Sequence, residues 1–294
     1  MATVQDIQRR VRSVRNTSKI TKAMELVAAA KLRRAQTRIE AMRPFADRML
    51  ELMAGTARAS SSVRGLPLLQ RREVGTVAIV PLTGDRGLAG PFNGQILRRA
   101  FALEQELRGE GKDVRWLVAG KKGRSTLRFR RYETDGSWEG FSDQPGYADA
   151  QTIAHRLAEI YTSGEVDRVV VVYNAFVSPL VQRVTEQDVL PIAENLLADE
   201  EDRREDALRG DFIYEPEPEQ ILERLLPVYL ETELFRALLE SAASEQGARM
   251  TAMRNASKNA GDLIDRLTLE MNRARQAEIT QEILEVVAGA DALV

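Results

Sequence analysis

Two long tracts, one at each end of the chain, lack the residues that usually end helices. Residues 1–43 contain neither glycine nor proline, and residues 228–294 contain no proline and only three glycines. Each tract is several times longer than the roughly 11–12 residues of an average globular helix. Helices over 2–54 and 228–288 reach about 80 Å and about 90 Å at ~1.5 Å per residue. We expect the two helices to pair antiparallel, which favours a shaft over a pocket.

The apolar pattern of both tracts supports a helix pair. Apolar or small residues recur at alternating steps of three and four, as in a coiled coil. The series begins with Ile7, Val11 and Val14 in the first tract and with Leu230 and Leu234 in the second. Alanines continue the second series, which predicts slim helices that approach each other closely.

Local signals mark helix starts and joints. Thr3 and Asp6 form a variant capping box at the start of the first helix. Pro44 is expected to kink or break that helix, because proline has no N–H group and clashes with the preceding turn. Residues 55–65 predict a flexible joint. Residues 194–220 carry 11 acidic residues against three arginines, which predicts a loop or a partly mobile helix.

The middle of the chain changes to short β-branched runs that alternate with amphipathic segments. Such alternation predicts βαβ units and a mostly parallel sheet. The last strand is expected at an edge, because prolines flank it. The predicted strands are 74–82, 113–119, 167–173 and 181–190, and the predicted helices are 93–107 and 147–161.

These patterns together predict the fold class and the domain boundaries. The class is α/β, with a long antiparallel two-helix coiled coil from the N- and C-terminal segments plus a Rossmann-like α/β domain with a mostly parallel sheet. The predicted parts are an N-terminal coiled-coil helix (1–58), an α/β domain (59–193), an acidic connector (194–220) and a C-terminal coiled-coil helix (221–294).

Composition excludes several kinds of site. The chain has no cysteine, so disulfides and thiolate metal sites are absent, and its single histidine, His155, rules out a histidine cluster. We expect His155 to be structural or exposed. No apolar run approaches the ~20 residues that cross a bilayer, so no transmembrane span is expected, and the N-terminus lacks the apolar region of a secretory signal. No constellation supports acid–base or nucleophilic catalysis.

A glycine-rich run, GDRGLAGPFN, follows the first predicted strand. Its glycines are Gly84, Gly87 and Gly90. A glycine turn between strand and helix can cradle phosphate, but this run matches neither the dinucleotide fingerprint nor the P-loop. We therefore interpret it as a structural turn that needs positive φ, and we expect no bound cofactor.

The N-terminal tract is basic, and the C-terminal tract ends in an apolar tip. Residues 1–44 hold 11 Lys or Arg against three acids. Docking onto acidic loops of a partner protein is the favoured interpretation, with a solvated helix face and nucleic-acid binding as alternatives. The segment 286–290 is apolar and extends beyond the shorter N-terminal tract. It is expected to enter a hydrophobic sleeve formed by other subunits, or else to dock on its own domain.

Three segments resemble the gamma subunit family of F-type ATP synthase. They are residues 14–31 (VRNTSKITKAMELVAAAK), the glycine run at 84–93, and residues 279–293 (ITQEILEVVAGADAL). They occur in the family's order and span both tracts and the middle domain. Ala89 departs from the family at a position where cysteine is frequent, and the cysteine-containing insertion of chloroplast relatives is absent, so thiol control is not expected.

The resemblance implies a central-stalk rotor without an active site of its own. In the family, proton flow turns a membrane c-ring and the stalk, which drives conformational changes at catalytic sites on the beta subunits and regulates ATPase activity and proton flow. The implied partners are the alpha and beta subunits of a hexamer, the epsilon subunit and the c-ring, with no nucleic acid. The implied location is peripheral, on the cytoplasmic face of a bacterial plasma membrane.

The resemblance also implies candidate partner-binding residues. Lys22 and Met24 correspond to family residues that face an acidic lever loop of a beta subunit. The remaining candidates lie near the C-terminus and face the surrounding hexamer: Arg273, Arg275, Gln276, Thr280, Glu282, Val286 and Val287. Two other hypotheses compete with the rotor: a nucleotide-using enzyme built on the α/β domain, and a static coiled-coil adaptor or nucleic-acid-binding rod.

Overall fold

The computed structural model describes residues 3–59, 65–193 and 216–291. The chain divides into a terminal unit (Met1–Ala28 with Arg249–Val294) and a central unit (Ala29–Ala248). Within the described residues the elements are α1 (Val4–Ala59), β1 (Thr76–Pro81), α2 (Phe92–Gly109), β2 (Asp113–Ala119), α3 (Lys121–Phe129), β3 (Gly136–Trp138), α4 (Tyr147–Thr162), β4 (Arg168–Phe176), β5 (Gln182–Leu190) and α5 (Pro218–Asp291).

In the terminal unit, α1 and α5 pair antiparallel, as predicted. Ile7 and Val11 of α1 form a buried apolar cluster with Leu267 of α5. Further along α1, the hydroxyls of Thr21 and Ser257 lie 2.7 Å apart. Residue numbers rise along α1 while those of their partners fall along α5, which defines the direction of the pairing.

The capping box at the start of α1 is confirmed. The backbone N–H of Thr3 donates to Asp6 Oδ2 at 3.3 Å, and the backbone N–H of Asp6 donates to Thr3 Oγ1 at 3.3 Å. Two helix N–H groups thus gain the acceptors that a helix start lacks. The expectation of a break at Pro44 is wrong, because α1 continues through it. Of the joint predicted at 55–65, residues 55–59 are helical and 60–64 lie outside the described residues.

The central unit contains a five-stranded sheet in the order β3-β2-β1-β4-β5. The pairs β3–β2, β2–β1 and β1–β4 are parallel, and β4–β5 is antiparallel. The sheet is therefore mostly parallel with β5 at an edge, as the sequence predicts. This order, with the first strand central, is that of doubly wound folds.

Apolar layers cover both faces of the sheet. On one face, α2 packs Phe92 and Ile96 against strand residues such as Ile79. On the other, α4 packs with the central unit's portions of α1 and α5, which contribute Met53 and Leu230. The core of the central unit thus draws on three separate stretches of chain.

Three features differ from the sequence prediction or were missed by it. The strand β3 has only three residues, too few to show the alternation of apolar and polar residues that predicts a strand. In α3, only Gly123 and Leu127 are buried, so its pattern is almost wholly polar. Helix α5 begins at Pro218, three residues before the boundary predicted at 221, and it continues through Pro227, beyond which the proline-free tract begins. Proline at the first helical position suits a helix start, because its missing N–H would have no partner there. Residues 194–215 of the predicted connector lie outside the described residues.

Candidate functional site

A three-residue ion cluster lies at the basic motif of α1. Lys22 Nζ is 3.0 Å from Glu25 Oε2, and Arg254 Nε of α5 is 3.0 Å from Glu25 Oε1. The hydrogen bonds from Lys22 and then from Arg254 lower the pKa of Glu25. Lys22 is therefore paired within its own helix, while its side chain stays 61% exposed and open to a second carboxylate.

Exposed apolar side chains surround this cluster on α1. Met24 is half-buried, and the side chains of Ile20, Leu26 and Val27 are largely exposed. Where exposed apolar side chains lie together beside charged ones, the surface is more often an interaction site than a face that contacts only water. This segment of α1 exposes charged and apolar side chains together.

The C-terminal end of α5 extends past the last residues that pack against α1. The apolar cluster with α1 ends at Met271 and Ala274, and residues 275–288 are all exposed. Thr280 Oγ1 donates to the carbonyl oxygen of Gln276 at 2.8 Å, a bond within the helix. The other sequence-predicted residues here are exposed: Arg273, Arg275, Glu282, Val286 and Val287. The apolar residues Ile279, Ile283 and Leu284 are exposed between them.

The glycine run caps the start of α3. The N–H groups of Lys121, Lys122 and Gly123 donate to Asp85 Oδ1, the carbonyl oxygen of Gly84 and Thr83 Oγ1, at 2.9, 3.1 and 2.9 Å. The N-terminal amides of this helix, the groups that hold phosphate in nucleotide sites, are thus already bonded to protein. The run acts as a structural turn that fixes α3 to the end of β1.

Each glycine of the run has a different setting. Gly90 has a φ of 55°, and the other left-handed residue of the run is Leu88, with φ 62°. Gly84 is close to α5 instead, because a Cβ there would lie 2.8 Å from the carboxyl carbon of Glu245. At Gly87 the nearest atom to such a Cβ is Lys122 Cε, at 3.8 Å. Positive φ explains only Gly90, and close packing explains Gly84.

The crevice where a doubly wound sheet binds nucleotides is filled by α5. That crevice lies at the carboxyl ends of the strands where the strand order reverses, here β1 and β4. Ser241 Oγ donates to the carbonyl oxygen of Leu82 at 3.3 Å, and Ser244 Oγ donates to that of Asn174 at 2.8 Å. The remaining cavity is about 10 Å³, whereas small-molecule sites typically measure about 300–1,000 Å³. This weighs against a nucleotide-using enzyme.

A carboxylate cluster that the sequence reasoning missed joins the loop between β3 and α4 to both long helices. Asp143 Oδ2 accepts from Lys31 Nζ of α1 at 2.7 Å, and Asp143 Oδ1 accepts from Gln246 Nε2 of α5 at 2.8 Å. Arg86 Nη1 of the glycine run lies 3.6 Å from Oδ2. Lys31 and Gln246 are 112 and 103 positions from Asp143 in sequence. Lys31 and Arg86 lie in the motifs at 14–31 and 84–93, but no sequence pattern indicated Asp143 or Gln246.

Neither His155 nor the acidic side chains of the described residues form a group of metal ligands. His155 is 68% exposed, with Nε2 3.2 Å from Glu231 Oε1. Over residues 3–59, 65–193 and 216–291, no three His, Asp or Glu side chains are grouped as metal ligands would be. No helix in those ranges combines the length and hydropathy needed to cross a membrane.

The fold and these surfaces define a class of protein: a helical interaction subunit that carries an α/β domain whose nucleotide crevice is filled. Comparison with known proteins makes the assignment specific. The family model described as ATP synthase matches residues 3–293. The chain is 44% identical over 293 residues to the ATP synthase gamma chain of Rubrobacter xylanophilus, covering 100% of this chain and 99% of that one. It is 45% identical over 293 residues to the gamma chain of Desulfitobacterium hafniense, covering 100% of both.

Solved structures agree in fold. The central stalk and c-ring structure of the Tetrahymena thermophila mitochondrial ATP synthase contains a chain that is 30% identical, with a TM-score of 0.58, covering 81% of this chain and 99% of that chain. A chain from the Euglena gracilis mitochondrial ATP synthase, in an OSCP/F1/c-ring structure, is 18% identical with a TM-score of 0.67, covering 99% of this chain and 94% of that chain, and shows the fold alone. The chain belongs to the ATP synthase gamma chain family, the non-catalytic central-stalk subunits of the F-type enzyme.

Proposed function

We propose that the chain turns inside a hexamer of alternating alpha and beta subunits and passes torque between that hexamer and a membrane c-ring. Its α/β domain contacts the c-ring and an epsilon subunit, and its paired helices contact the hexamer. This places the chain peripherally, on the cytoplasmic face of a bacterial plasma membrane. The observation that carries the proposal is the exposed segment 275–288, which continues α5 past its pairing with α1.

The exposed end of α5 suits a contact that must slide. Val286 and Val287 are 73% and 52% exposed, and an unpaired helix with apolar groups in water is stabilised when a partner covers them. Apolar contacts are non-directional, so a hydrophobic collar can hold the tip at every angle. Arg273, Arg275, Gln276, Thr280 and Glu282 lie nearer the residues that pack against α1, where they can bond polar loops of the collar.

The ion cluster on α1 suits a contact that must form and release. Lys22 is shared between its own Glu25 and any acidic loop that passes, because its side chain is largely exposed. Exposed ion pairs are held weakly in water, so such a pairing can be exchanged three times per turn. Met24 and the exposed Leu26 add an apolar contact beside the charge. Shifting the catalytic sites requires a different contact energy in each orientation, and α1 and α5 present different faces.

Cysteine cross-linking in the assembled ATP synthase tests the rotor. The chain has no cysteine of its own, so Leu26→Cys and Glu285→Cys each introduce a single thiol. Each is paired with one cysteine on a facing beta-subunit loop, and the control carries the same substitution with a cysteine-free beta subunit. We expect oxidation to stop ATP hydrolysis only in the paired enzymes and dithiothreitol to restore it.

The two positions have different weight. The tip at Glu285 has no partner helix and can unwind around a cross-link, whereas Leu26 lies where α1 is bonded to α5 through Glu25 and Arg254. Complete cross-linking through Leu26→Cys with undiminished coupled turnover would refute rotation of this chain within the hexamer.

The charge at Lys22 is tested by Lys22→Gln. We expect this change to weaken the dependence of ATP hydrolysis on salt concentration, since paired charges across an interface are screened by ions. Lys258→Gln, on an exposed position of α5, is the matched control and should keep the salt dependence of the parent enzyme. An equal effect of both substitutions would show that Lys22 has no specific carboxylate partner.

A further inference from the structure

Asp143 connects three parts of the central unit that are distant in sequence. It lies in the loop between β3 and α4 and accepts hydrogen bonds from Lys31 of α1 and Gln246 of α5. Charge-assisted hydrogen bonds of this length are about twice as strong as neutral ones. Gln246 is only 1% exposed, so little water can compete for its side of the carboxylate.

The loop that carries Asp143 is itself fixed to the sheet. Asp85 Oδ2 accepts from the backbone N–H groups of Gly140 and Ser142 at 2.9 and 3.1 Å, and Ser142 Oγ accepts from the backbone N–H of Asp85 at 2.8 Å. Asp85 lies four residues after the end of β1. The Asp143 carboxylate is therefore held by the strand ends, not by a free loop.

The two helices are fastened to the domain in different ways at this edge. Helix α5 has its own bonds to the strand ends through Ser241 and Ser244. Helix α1 has a salt bridge from Lys31 to Asp143 and a hydrogen bond from Arg38 Nη2 to the carbonyl oxygen of Pro145, at 2.6 Å. Both of these bonds go to the loop between β3 and α4.

We propose that Asp143 is the junction through which the α/β domain turns α1 together with α5. The proposal rests on the rotor function above and assigns a positioning role to Asp143. Torque applied to the domain shears it against the two helices. A carboxylate bonded to both helices resists that shear in both, whereas without it α1 lags and the angular step is lost under load.

The isosteric substitution Asp143→Asn tests the junction because of its donor pattern. The carboxylate presents one acceptor oxygen to Lys31 and one to Gln246. An amide has one acceptor oxygen and one donor NH₂, so the salt bridge with Lys31 is lost in either orientation, and the NH₂ faces a donor unless the amide of Gln246 turns over. The variant loses one helix contact and the negative charge without a change in side-chain volume.

The measurement is ATP-driven proton pumping and ATP hydrolysis in the same membrane vesicles, at increasing opposing proton gradient. We expect Asp143→Asn to hydrolyse ATP normally and to pump normally against no gradient. Protons pumped per ATP should then fall by about twofold or more as the gradient rises, the low end of couplings between bonded residues. A merely structural defect would lower hydrolysis and pumping together at every gradient.

Glu139→Gln is the matched control. Glu139 is the first residue of the same loop and pairs with Arg124 at 3.0 Å, with both side chains more than 40% exposed. It should pump like the parent enzyme at every gradient. Lys31→Met, at a half-exposed position of α1, is the second variant. It removes the same salt bridge and tests the junction if Asp143→Asn does not assemble. The double variant should be no worse than the poorer single variant.

The outcomes separate the junction from the rotor. A parent enzyme with freely rotating, uncoupled gamma would refute the proposed function itself. A coupled parent enzyme in which Asp143→Asn or Lys31→Met keeps its pumping ratio at the highest gradient would overturn the junction alone. Equal loss in Glu139→Gln would overturn it as well, because the loop and not the carboxylate would then matter.

Discussion

Thr83 is the residue through which the glycine run can be tested by stability. Its side chain is buried, 4% exposed. Thr83 Oγ1 donates to the carbonyl oxygen of Ala119 at 2.9 Å and accepts from the N–H of Gly123 at 2.9 Å. Gly123 is in the first turn of α3, where no carbonyl of the helix itself can accept its N–H. Thr83→Val keeps the shape and removes both bonds.

The expected cost follows from what remains unpaired. A buried N–H without an acceptor costs about 1–3 kcal/mol, and a domain of this size loses about 2–4 °C of melting temperature per kcal/mol. We therefore expect Thr83→Val to lower the melting temperature by about 2–12 °C. Thr83→Ser keeps the hydroxyl and loses one methyl group, worth about 0.8 kcal/mol, so it should be the milder change.

Tryptophan fluorescence during thermal and urea unfolding isolates the domain. The chain has two tryptophans, Trp116 on β2 and Trp138 on β3, and both belong to the central unit. Unfolding of the terminal unit therefore adds little to the signal. A Thr83→Val protein as stable as the parent, or more stable than Thr83→Ser, would refute the view that this hydroxyl caps α3.

Three further predictions concern the helix pair and its attachment. Leu267 lies in the apolar cluster that joins α1 and α5. Leu267→Ala should lower the free energy of unfolding of the helix pair, followed by circular dichroism, by about 2 kcal/mol. Leu269→Ala, at a 53% exposed position, should lower it far less, and equal losses would contradict this pairing. The pKa of Glu25 is lowered by its hydrogen bonds from Lys22 and then Arg254. The ionised Glu25 therefore stabilises the folded protein at pH above the ordinary glutamate pKa, and this stabilisation is lost as pH falls through the lowered pKa. Glu25→Gln should flatten the acid side of the curve of stability against pH. An unchanged acid side would argue against the ion cluster. Burial, and then the bond to Glu231, raises the pKa of Tyr147 to about 12. The neutral Tyr147 therefore stabilises the folded protein at pH below the ordinary tyrosine pKa, and this stabilisation is lost as pH rises through about 12. Glu231→Gln should lower the pKa of Tyr147 measured by phenolate absorbance.

The sequence predicted the parts of the fold in which apolar residues recur at a regular spacing or form a clear local run. The strand β2 was placed at its observed bounds, because buried β-branched runs between turn residues leave few alternatives. The antiparallel helix pair followed from two breaker-free tracts. Helix α5 begins ten residues before the proline-free tract at 228 that indicated it. It continues through Pro227, since a proline inside a helix is tolerated where packing supports both sides, and Leu226 and Leu230 are both buried there.

The candidate partner-binding residues came from the family resemblance and stay predictions. The pairing of Lys22 with Glu25 was not predicted, although its three-residue spacing on one helix is readable from sequence. The bonds of Asp143 to Lys31 and Gln246 are not, because their separations of 112 and 103 residues are set by the tertiary fold. The filling of the crevice by α5 was equally hidden. Serine and glutamate at 241–245 look like an ordinary helix surface until the strand ends that they bond are known.

The filling of that crevice also constrains how the chain is made. The strands β1 and β4 are synthesised well before residues 238–245, which cover their carboxyl ends and bond the carbonyl groups of Leu82 and Asn174. Until that late stretch leaves the ribosome, these carbonyl groups lack the serine donors that cover them in the folded protein. Domains generally fold as units during synthesis, but this one is completed only by its own C-terminal helix. We therefore expect a chain truncated before residue 238 to form a less stable α/β domain than the full chain.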